Sequence, residues 1–404
     1  MYRYIIVYMY VEGGEVMRKF KKLVSAALVS AMVLAMAGCG SDGNSNTNAG
    51  NTFKIGGTGP LTGDAAAYGQ AVRNAAQLAV DEINANGGVN GYMLELNYQD
   101  DEHDPEKAIN AYNTIKDWGV QIVLGSVTSK PCIAVGGKTK EDNIFQLTPS
   151  GTAVECTQHD NAFRVCFSDP AQGTVSAQYI GDNNLASKIA IIYDSSDPYS
   201  SGIYESFTKE AGNYSFEIVS AEAFTSESNT DFSVQLQKAK DSGADMVFLP
   251  IYYNEAALIL TQANSMGFTP QFFGVDGMDG ILSGVENFDA SLAEGVMFLT
   301  PFASTSTEEN IVNFVTAYEE KFGGTPNQFA ADAYDGVYII KAIIEKSGVK
   351  PSDDVSAICE GLKSAMVELT FDGLTGSGIT WSADGEPDKA PSVVVIKDGV
   401  YNEM

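Results

Sequence analysis

Small hydroxyl residues follow two neighbouring predicted strands in the first half of the chain. The turn 125–129 (GSVTS) comes after the strand predicted at 121–124, and the turn 148–152 (TPSGT) comes after the strand predicted at 144–147. Hydroxyls and free backbone N–H groups near helix N-termini suit an anion the size of a carboxylate, without an arginine. Either turn alone is more typical of a helix cap, but together they offer a carboxylate site.

Groups of a different character follow the predicted strands of the second half. Tyr199 comes after the strand at 188–193, Tyr252 and Tyr253 come after the strand at 246–250, and Asp276 comes after Phe272, Phe273 and Gly274. A carboxylate among aromatic rings suits an ammonium group, through ion pairing and approach to the ring faces. The alternative for Asp276 is one more exposed loop acid, because the chain has 52 Asp and Glu residues.

The elements that must position these groups alternate between β-rich runs and helical stretches from Phe53 onward. The pattern predicts a strand at 53–56, a helix at 68–84, a strand at 93–98 and a helix that begins at Asp104-Pro105. Repetition of this unit predicts an α/β fold with mainly parallel sheets. Ligands of such sheets bind beyond the carboxyl ends of the strands, which is where the polar turns lie.

Several segments resemble the leucine/isoleucine/valine-binding proteins of branched-chain amino-acid ABC transporters. They are the string 59–63 (GPLTG) with Tyr68, the segment 83–101 (INANGGVNGYMLELNYQDD), Gly125-Ser126 and the turn 252–255 (YYNE). The resemblance covers Phe53 to Met404. It implies a type I periplasmic-binding-protein fold, with two doubly wound parallel-sheet lobes joined by a three-strand hinge.

The same resemblance implies where the lobes begin and end. The first lobe is expected at 53–167 plus 300–372, and the second at 168–299 plus 373–404. The three crossings are expected near Cys166–Pro170, Gly295–Pro301 and Phe371–Gly376. Closure of this hinge would bring the two sets of polar turns together around a ligand.

In this family an amino acid lies between the lobes, with its carboxylate held by one lobe and its ammonium largely by the other. By similarity, Ser126 matches the carboxylate-binding serine, Tyr68 the wall of the side-chain pocket, and Asp276 an acidic ammonium ligand that is often Glu. Either Tyr252 or Tyr253 matches an aromatic group of the second lobe. The full expected ligand-binding set is Tyr68, Ser126, Thr128, Ser150, Gly151, Thr152, Tyr199, Tyr252, Tyr253 and Asp276.

The N-terminal segment indicates an exported lipoprotein. After Met17, the expected start, comes a basic stretch, then an apolar run at 23–37 that is too short to span a bilayer, and then Met36-Ala37-Gly38-Cys39. Small residues before a cysteine resemble a lipobox, so residues 1–38 are expected to be a signal peptide and Cys39 the lipidated N-terminus. The Gly-, Ser- and Asn-rich segment 39–52 is typical of a flexible tether. The expected location is extracytoplasmic, anchored to the cell membrane.

Composition and motifs exclude several other functions. A length of 404 residues favours two lobes, and a net charge of −28 excludes nucleic acid as a partner. Pro60 breaks the glycine pattern of dinucleotide-binding enzymes after Gly59, and the GxSxG motif of serine hydrolases does not occur. The acidic run 100–104 is more typical of a solvated loop than of a metal site. We therefore expect a monomeric binding protein, neither an enzyme nor dependent on a cofactor or metal, whose partners are an amino acid and an ABC permease.

Three questions stay open from the sequence. Cys156 and Cys166 can close a disulfide or remain small buried thiols. The protein can serve a transporter, or it can be a ligand sensor that passes its signal to a receptor. The ligand can be leucine, isoleucine or valine, but also an aromatic amino acid, an amide or another carboxylate.

Overall fold

A computed structural model of the chain describes residues 52–404. Residues 1–51 lie outside this range, and with them the predicted signal peptide, Cys39 and almost all of the predicted tether. None of the helices within 52–404 is long and apolar enough to cross a membrane. The four cysteines of the described part are buried and free, so Cys156 and Cys166 are not joined in a disulfide.

The first lobe is built on a parallel sheet with the strand order β2-β1-β3-β4-β5. Its strands are β1 (Thr52–Gly59), β2 (Met93–Asp100), β3 (Ile122–Leu124), β4 (Phe145–Thr148) and β5 (Ala162–Arg164). The central strands β3 and β4 are buried along their whole length, as expected for strands covered by helices on both faces.

The second lobe is built on a larger sheet with the strand order β14-β13-β10-β9-β8-β6-β7. Its strands are β6 (Lys188–Asp194), β7 (Glu217–Phe224), β8 (Met246–Leu249), β9 (Gln271–Gly274), β10 (Met297–Thr300), β13 (Ser392–Lys397) and β14 (Val400–Glu403). Strands β6 to β10 are parallel, whereas β13 and β14 add an antiparallel edge. A separate two-stranded ladder joins β11 (Thr370–Phe371) to β12 (Ile379–Thr380).

Helices cover both sheets. In chain order they are α1 (Ala66–Ala85), α2 (Pro105–Trp118), α3 (Ser129–Asp142), α4 (Asp169–Asp182), α5 (Pro198–Ala211), α6 (Ser233–Asp241), α7 (Tyr253–Ser265), α8 (Glu309–Phe322), α9 (Gln328–Ser347) and α10 (Val355–Met366). Short 3₁₀ turns occupy Val154–Thr157, Asp276–Met278 and Ala290–Ala293. This is the mixed α/β architecture that the sequence predicts.

Local sequence signals set the helix starts that matter for the site. Asp104 caps α2 by accepting a hydrogen bond from the Lys107 amide, with Pro105 in the first turn, as predicted. Asp197 caps α5 in the same way and accepts from the Tyr199 amide. This cap fixes Tyr199 in the first turn of α5, directly beyond the end of β6.

The chain crosses between the lobes three times. The first crossing lies between β5 and α4, and the second follows β10. The third lies later than the expected 371–376, because Ile379 and Trp381 are buried in the core of the first lobe and the Trp381 indole N–H donates to the Arg164 carbonyl, 2.7 Å away. Only at Ser392 does the chain join the second sheet. Residues 373–389 therefore pack on the first lobe, which corrects the predicted boundary.

Candidate ligand-binding site

The carboxyl ends of the two sheets face each other across a small cavity of about 10 Å³. The first lobe lines it with Tyr68, Val127, Thr128, Ser129, Ser150, Thr152 and Phe329. The second lobe lines it with Tyr199, Tyr252, Asp276 and Gly277. A space of this size holds about one water molecule, so a larger ligand enters only when the lobes separate.

Hydrogen-bond donors line the cavity on the side of the first lobe. The Ser150 hydroxyl is used within the lobe, where it donates to the Val127 carbonyl (2.7 Å). The Ser129 hydroxyl accepts from the Ala153 amide (3.2 Å), which leaves its own proton free to donate. The Thr152 hydroxyl is buried and has no hydrogen-bond partner within residues 52–404. The Thr152 hydroxyl and the free proton of the Ser129 hydroxyl are therefore the donors that these two turns offer to the cavity.

Two residues of the expected set lie behind the cavity instead of in its wall. The Ser126 hydroxyl hydrogen-bonds Thr58, and its carbonyl accepts from the Thr148 hydroxyl at 2.6 Å. Gly151 lies above Cys132, where an added Cβ would come within 2.9 Å of the thiol sulfur. From the first turn, Thr128 and Ser129 line the cavity, and the sequence analysis selected Thr128 but not Ser129. Which hydroxyl of this turn lines the cavity depends on the backbone conformation of the turn. The residue types alone do not indicate that conformation.

Asp276 faces the cavity from the second lobe, as predicted. Its Oδ1 accepts from the Tyr199 hydroxyl at 2.7 Å, and its amide donates to Oε1 of Gln172 at 3.1 Å. Burial raises the pKa of the Asp276 carboxyl to about 6, although the hydrogen bond from Tyr199 acts in the opposite direction. A buried carboxyl held by neutral donors can accept a cation, because an ammonium group would offset its desolvation.

A second buried acid, Asp169, lies close to this group and was not predicted. Asp169 is the first residue of α4 and is 1% exposed, and neither of its carboxylate oxygens has a hydrogen-bond partner in the described part of the chain. Burial raises the pKa of Asp169 well above its usual value, the adjacent Thr152 hydroxyl lowers it, and the charge of Asp276 raises it further. In the sequence, Ser168-Asp169-Pro170 is typical of a helix start. The pattern therefore gave no reason to select Asp169 as a site residue.

Aromatic rings form the rest of the lining. Tyr199 and Tyr252 stack with their ring centroids 4.6 Å apart, and Tyr68 packs 4.5 Å from Phe329. The Tyr252 hydroxyl is buried without a partner among residues 52–404, whereas Tyr253 lies beside the cavity and its hydroxyl accepts from the Ala67 amide. The structure therefore places Tyr252, and not Tyr253, in the wall of the cavity.

Direct hydrogen bonds between the lobes close the cleft around the cavity. The Tyr68 hydroxyl donates to the Gly277 carbonyl (2.5 Å), and the Gln328 amide donates to Oδ2 of Asp279 (2.8 Å). The Gln328 side chain also donates to the Asp276 carbonyl at 3.1 Å. These contacts join the first lobe to the loop that carries Asp276, so closure fixes the position of its carboxylate.

The fold and the site together define a two-lobed binding protein of the type I periplasmic class, in which a small ligand is enclosed between hinged lobes. Residues 52–400 match the family model described as periplasmic binding protein. The chain therefore belongs to this family, which confirms the resemblance seen in the sequence. Proteins of this kind bind the substrates of transporters and are not enzymes.

Similar proteins come from several bacteria. The chain is 31% identical over 313 residues to a Leu/Ile/Val-binding protein of Rhizobium johnstonii, which covers 76% of this chain and 83% of that protein. It is 29% identical over 331 residues to the leucine-, isoleucine-, valine-, threonine- and alanine-binding protein of Pseudomonas aeruginosa, covering 81% and 86% of the two chains.

A solved structure supports the same assignment. The branched-chain amino acid transporter substrate binding protein of Streptococcus pneumoniae, in complex with isoleucine, superposes with a TM-score of 0.78 at 30% identity. The match covers 87% of this chain and 98% of that chain. The leucine-binding protein of Thermotoga maritima gives a TM-score of 0.76 at 27% identity, with 87% and 97% covered.

Proposed function

We propose that the protein captures an amino acid with a branched aliphatic side chain and delivers it to an ABC permease. One observation carries this proposal. Hydroxyl donors of Ser129 and Thr152, from the first lobe, and the carboxylate of Asp276, from the second lobe, line one cavity. This arrangement complements a zwitterion, whose carboxylate and ammonium groups need donors and acceptors on opposite sides. The names of the relatives, which include a complex with isoleucine and a leucine-binding protein, support the branched-chain assignment.

In the proposed mechanism, ligand binding drives closure of the hinge. The first lobe offers its donors to the carboxylate of the amino acid, while Asp276 and Tyr199 belong to the second lobe. Both charged groups of the ligand are paired only when the lobes meet, so the ligand has higher affinity for the closed form and shifts the equilibrium toward it. The aromatic residues Tyr68, Tyr252 and Phe329 then enclose the aliphatic part of the ligand.

A thermal-shift screen tests the ligand assignment. The protein is unfolded and refolded to remove carried-over ligand, and is then screened against the twenty amino acids, leucinamide and 4-methylpentanoate, which lack one charged group each. A ligand at 100 times its Kd adds about 2.7 kcal/mol of stability. We expect leucine, isoleucine or valine to raise the melting temperature and the two analogues to have little effect. Stabilisation by 4-methylpentanoate equal to that by leucine would contradict the proposed ammonium site.

The delivery step requires its own test. In cells that depend on the protein for growth on the identified amino acid, deletion is expected to abolish uptake of the radiolabelled compound. The wild-type gene should restore uptake, and the Asp276→Asn variant should not. Normal uptake in the deletion strain, together with a changed transcriptional response to the amino acid, would favour a sensing role.

We also propose that the mature protein is a lipoprotein anchored through Cys39, in the segment outside the described residues. The support is the order of a basic stretch, an apolar run and a cysteine preceded by small residues in the sequence. Labelling of cells with an alkyne fatty acid should mark the wild-type protein and not the Cys39→Ser variant. Label on both proteins would show that the lipid, if present, is attached elsewhere.

A further inference from the structure

Arg164, at the end of β5, has a fully buried side chain that takes no part in the cavity wall. Its guanidinium donates to the Gly151 carbonyl and the Ala153 carbonyl, each at 2.9 Å. The same group donates to the Thr157 hydroxyl (3.1 Å) and forms an ion pair with Glu386 (2.9 Å). A buried cation is costly, and here two of its partners are carbonyls of the turn that offers Thr152 to the ligand.

We propose that Arg164 is a positioning residue for the recognition of the ligand carboxylate. It acts through the peptide unit that joins Gly151 to Thr152, without touching the ligand. This inference rests on the proposed function, because it assumes that the turn at Thr152 binds a carboxylate.

The physical basis is the geometry of the peptide unit. The Gly151 carbonyl and the Thr152 N–H belong to one planar unit and point in opposite directions. A guanidinium bound to the carbonyl therefore keeps the N–H on the opposite side of the unit, and this N–H belongs to Thr152, which lines the cavity. Hydrogen bonding at the carbonyl also polarises the unit and makes its N–H a stronger donor.

The forked shape of arginine is essential to this role. One guanidinium nitrogen binds the Gly151 carbonyl while another binds the Ala153 carbonyl, so the two carbonyls that flank Thr152 are fixed together. A lysine is a point charge and cannot hold both at once in this planar geometry. The Glu386 carboxylate pairs with the guanidinium and helps to hold it in place. The same carboxylate also accepts a hydrogen bond from the Thr157 hydroxyl at 3.0 Å.

The test compares a ligand that has the carboxylate with one that lacks it. Calorimetry measures the affinities of leucine and leucinamide for wild type, Arg164→Lys and Glu386→Ala. For Arg164→Lys we expect the ratio of the two affinities to fall by about tenfold or more, the effect of losing a hydrogen bond to a charged group. The leucinamide affinity should change little. For Glu386→Ala, which removes one anchor of the fork, we expect a fall of about threefold.

A merely structural role predicts a different outcome. Lower melting temperature and equal losses for both ligands, with the ratio unchanged, would overturn the proposal. If Arg164→Lys does not fold, an unchanged ratio in Glu386→Ala overturns it, because that side chain is partly exposed and its loss is tolerable. Wild-type protein that does not distinguish leucine from leucinamide overturns the proposed function as well, whereas a discriminating wild type with an unchanged ratio in the variants overturns only the role of Arg164.

Discussion

The change of Asp276 to Asn removes the charge of the proposed ammonium ligand and keeps its shape. The asparagine oxygen can still accept the hydrogen bond that Tyr199 donates to Oδ1 at 2.7 Å. Loss of one partner of a buried charge pair costs about 2–5 kcal/mol, which corresponds to about 30- to 5,000-fold in Kd. We therefore expect leucine to bind the variant at least about 30-fold more weakly than it binds the wild type.

The structure also predicts how the same change affects the stability of the ligand-free protein. Whereas leucine affinity should fall, stability should not. The pKa of Asp276 is raised from its ordinary value of 3.8 to about 6 by burial. An acid whose pKa is raised on folding destabilises the folded state once it is ionised, and this difference corresponds to at most about 3 kcal/mol at neutral pH. Asparagine carries no such charge, so the melting temperature of the ligand-free variant should be unchanged or higher.

Titration calorimetry with leucine and a thermal melt without ligand measure the two effects. Asp289→Asn is the matched control, because Asp289 is an exposed loop acid that hydrogen-bonds only its neighbour Ser291 among the described residues. The control should bind like the wild type. Unchanged affinity in Asp276→Asn would refute the assignment of Asp276, and a lower melting temperature in the ligand-free variant would show that its loss damages the fold.

Three further predictions follow from the same geometry. Leucine affinity should be constant above a pH of about 6 and fall about tenfold per pH unit below it. The reason is that a protonated Asp276 must lose its proton to pair with an ammonium group. A leucine affinity that calorimetry finds unchanged between pH 5 and 7 would contradict this. Asp169→Asn should weaken leucine binding by about tenfold without lowering the melting temperature, and calorimetry that shows wild-type affinity would remove Asp169 from the site. Ser129→Ala should lower the affinity by about tenfold and Ser126→Ala by less than about threefold, and the reverse order would return the carboxylate contact to Ser126.

The sequence predicts well those features that depend on short-range patterns. Apolar runs of β-branched residues predict strands such as Lys188–Asp194, and the caps at Asp104 and Asp197 place helix starts within a turn. The polar groups then follow from the rule that ligands bind at the carboxyl ends of parallel strands. Tyr199, Tyr252 and Asp276 could be selected in this way because each comes directly after a strand.

The features that were missed differ in whether the local sequence carried a signal for them. The third crossing is late because Trp381 packs in the core of the first lobe and bonds the backbone of Arg164, more than 200 residues earlier. The hairpin β13–β14 did have a local signal, since the apolar run at Ser392–Lys397 leads to Asp398 and Gly399, both at positive φ. Asp169 had no local signal for a role in the site, because the same residue types occur at any capped helix start.

The uneven distribution of charge between the lobes suggests how closure is made dependent on the ligand. Closure brings Asp276 into contact with the first lobe through Gln328, and it encloses Asp169 beside Thr152. Burying two neighbouring carboxylates without a cation is unfavourable, as their raised pKa values show. A ligand ammonium offsets this cost, whereas a ligand with only a carboxylate adds a third negative group to the same enclosed space. Under the proposed function the second lobe would therefore select for a zwitterion, whereas the donors of the first lobe alone would bind any small carboxylate.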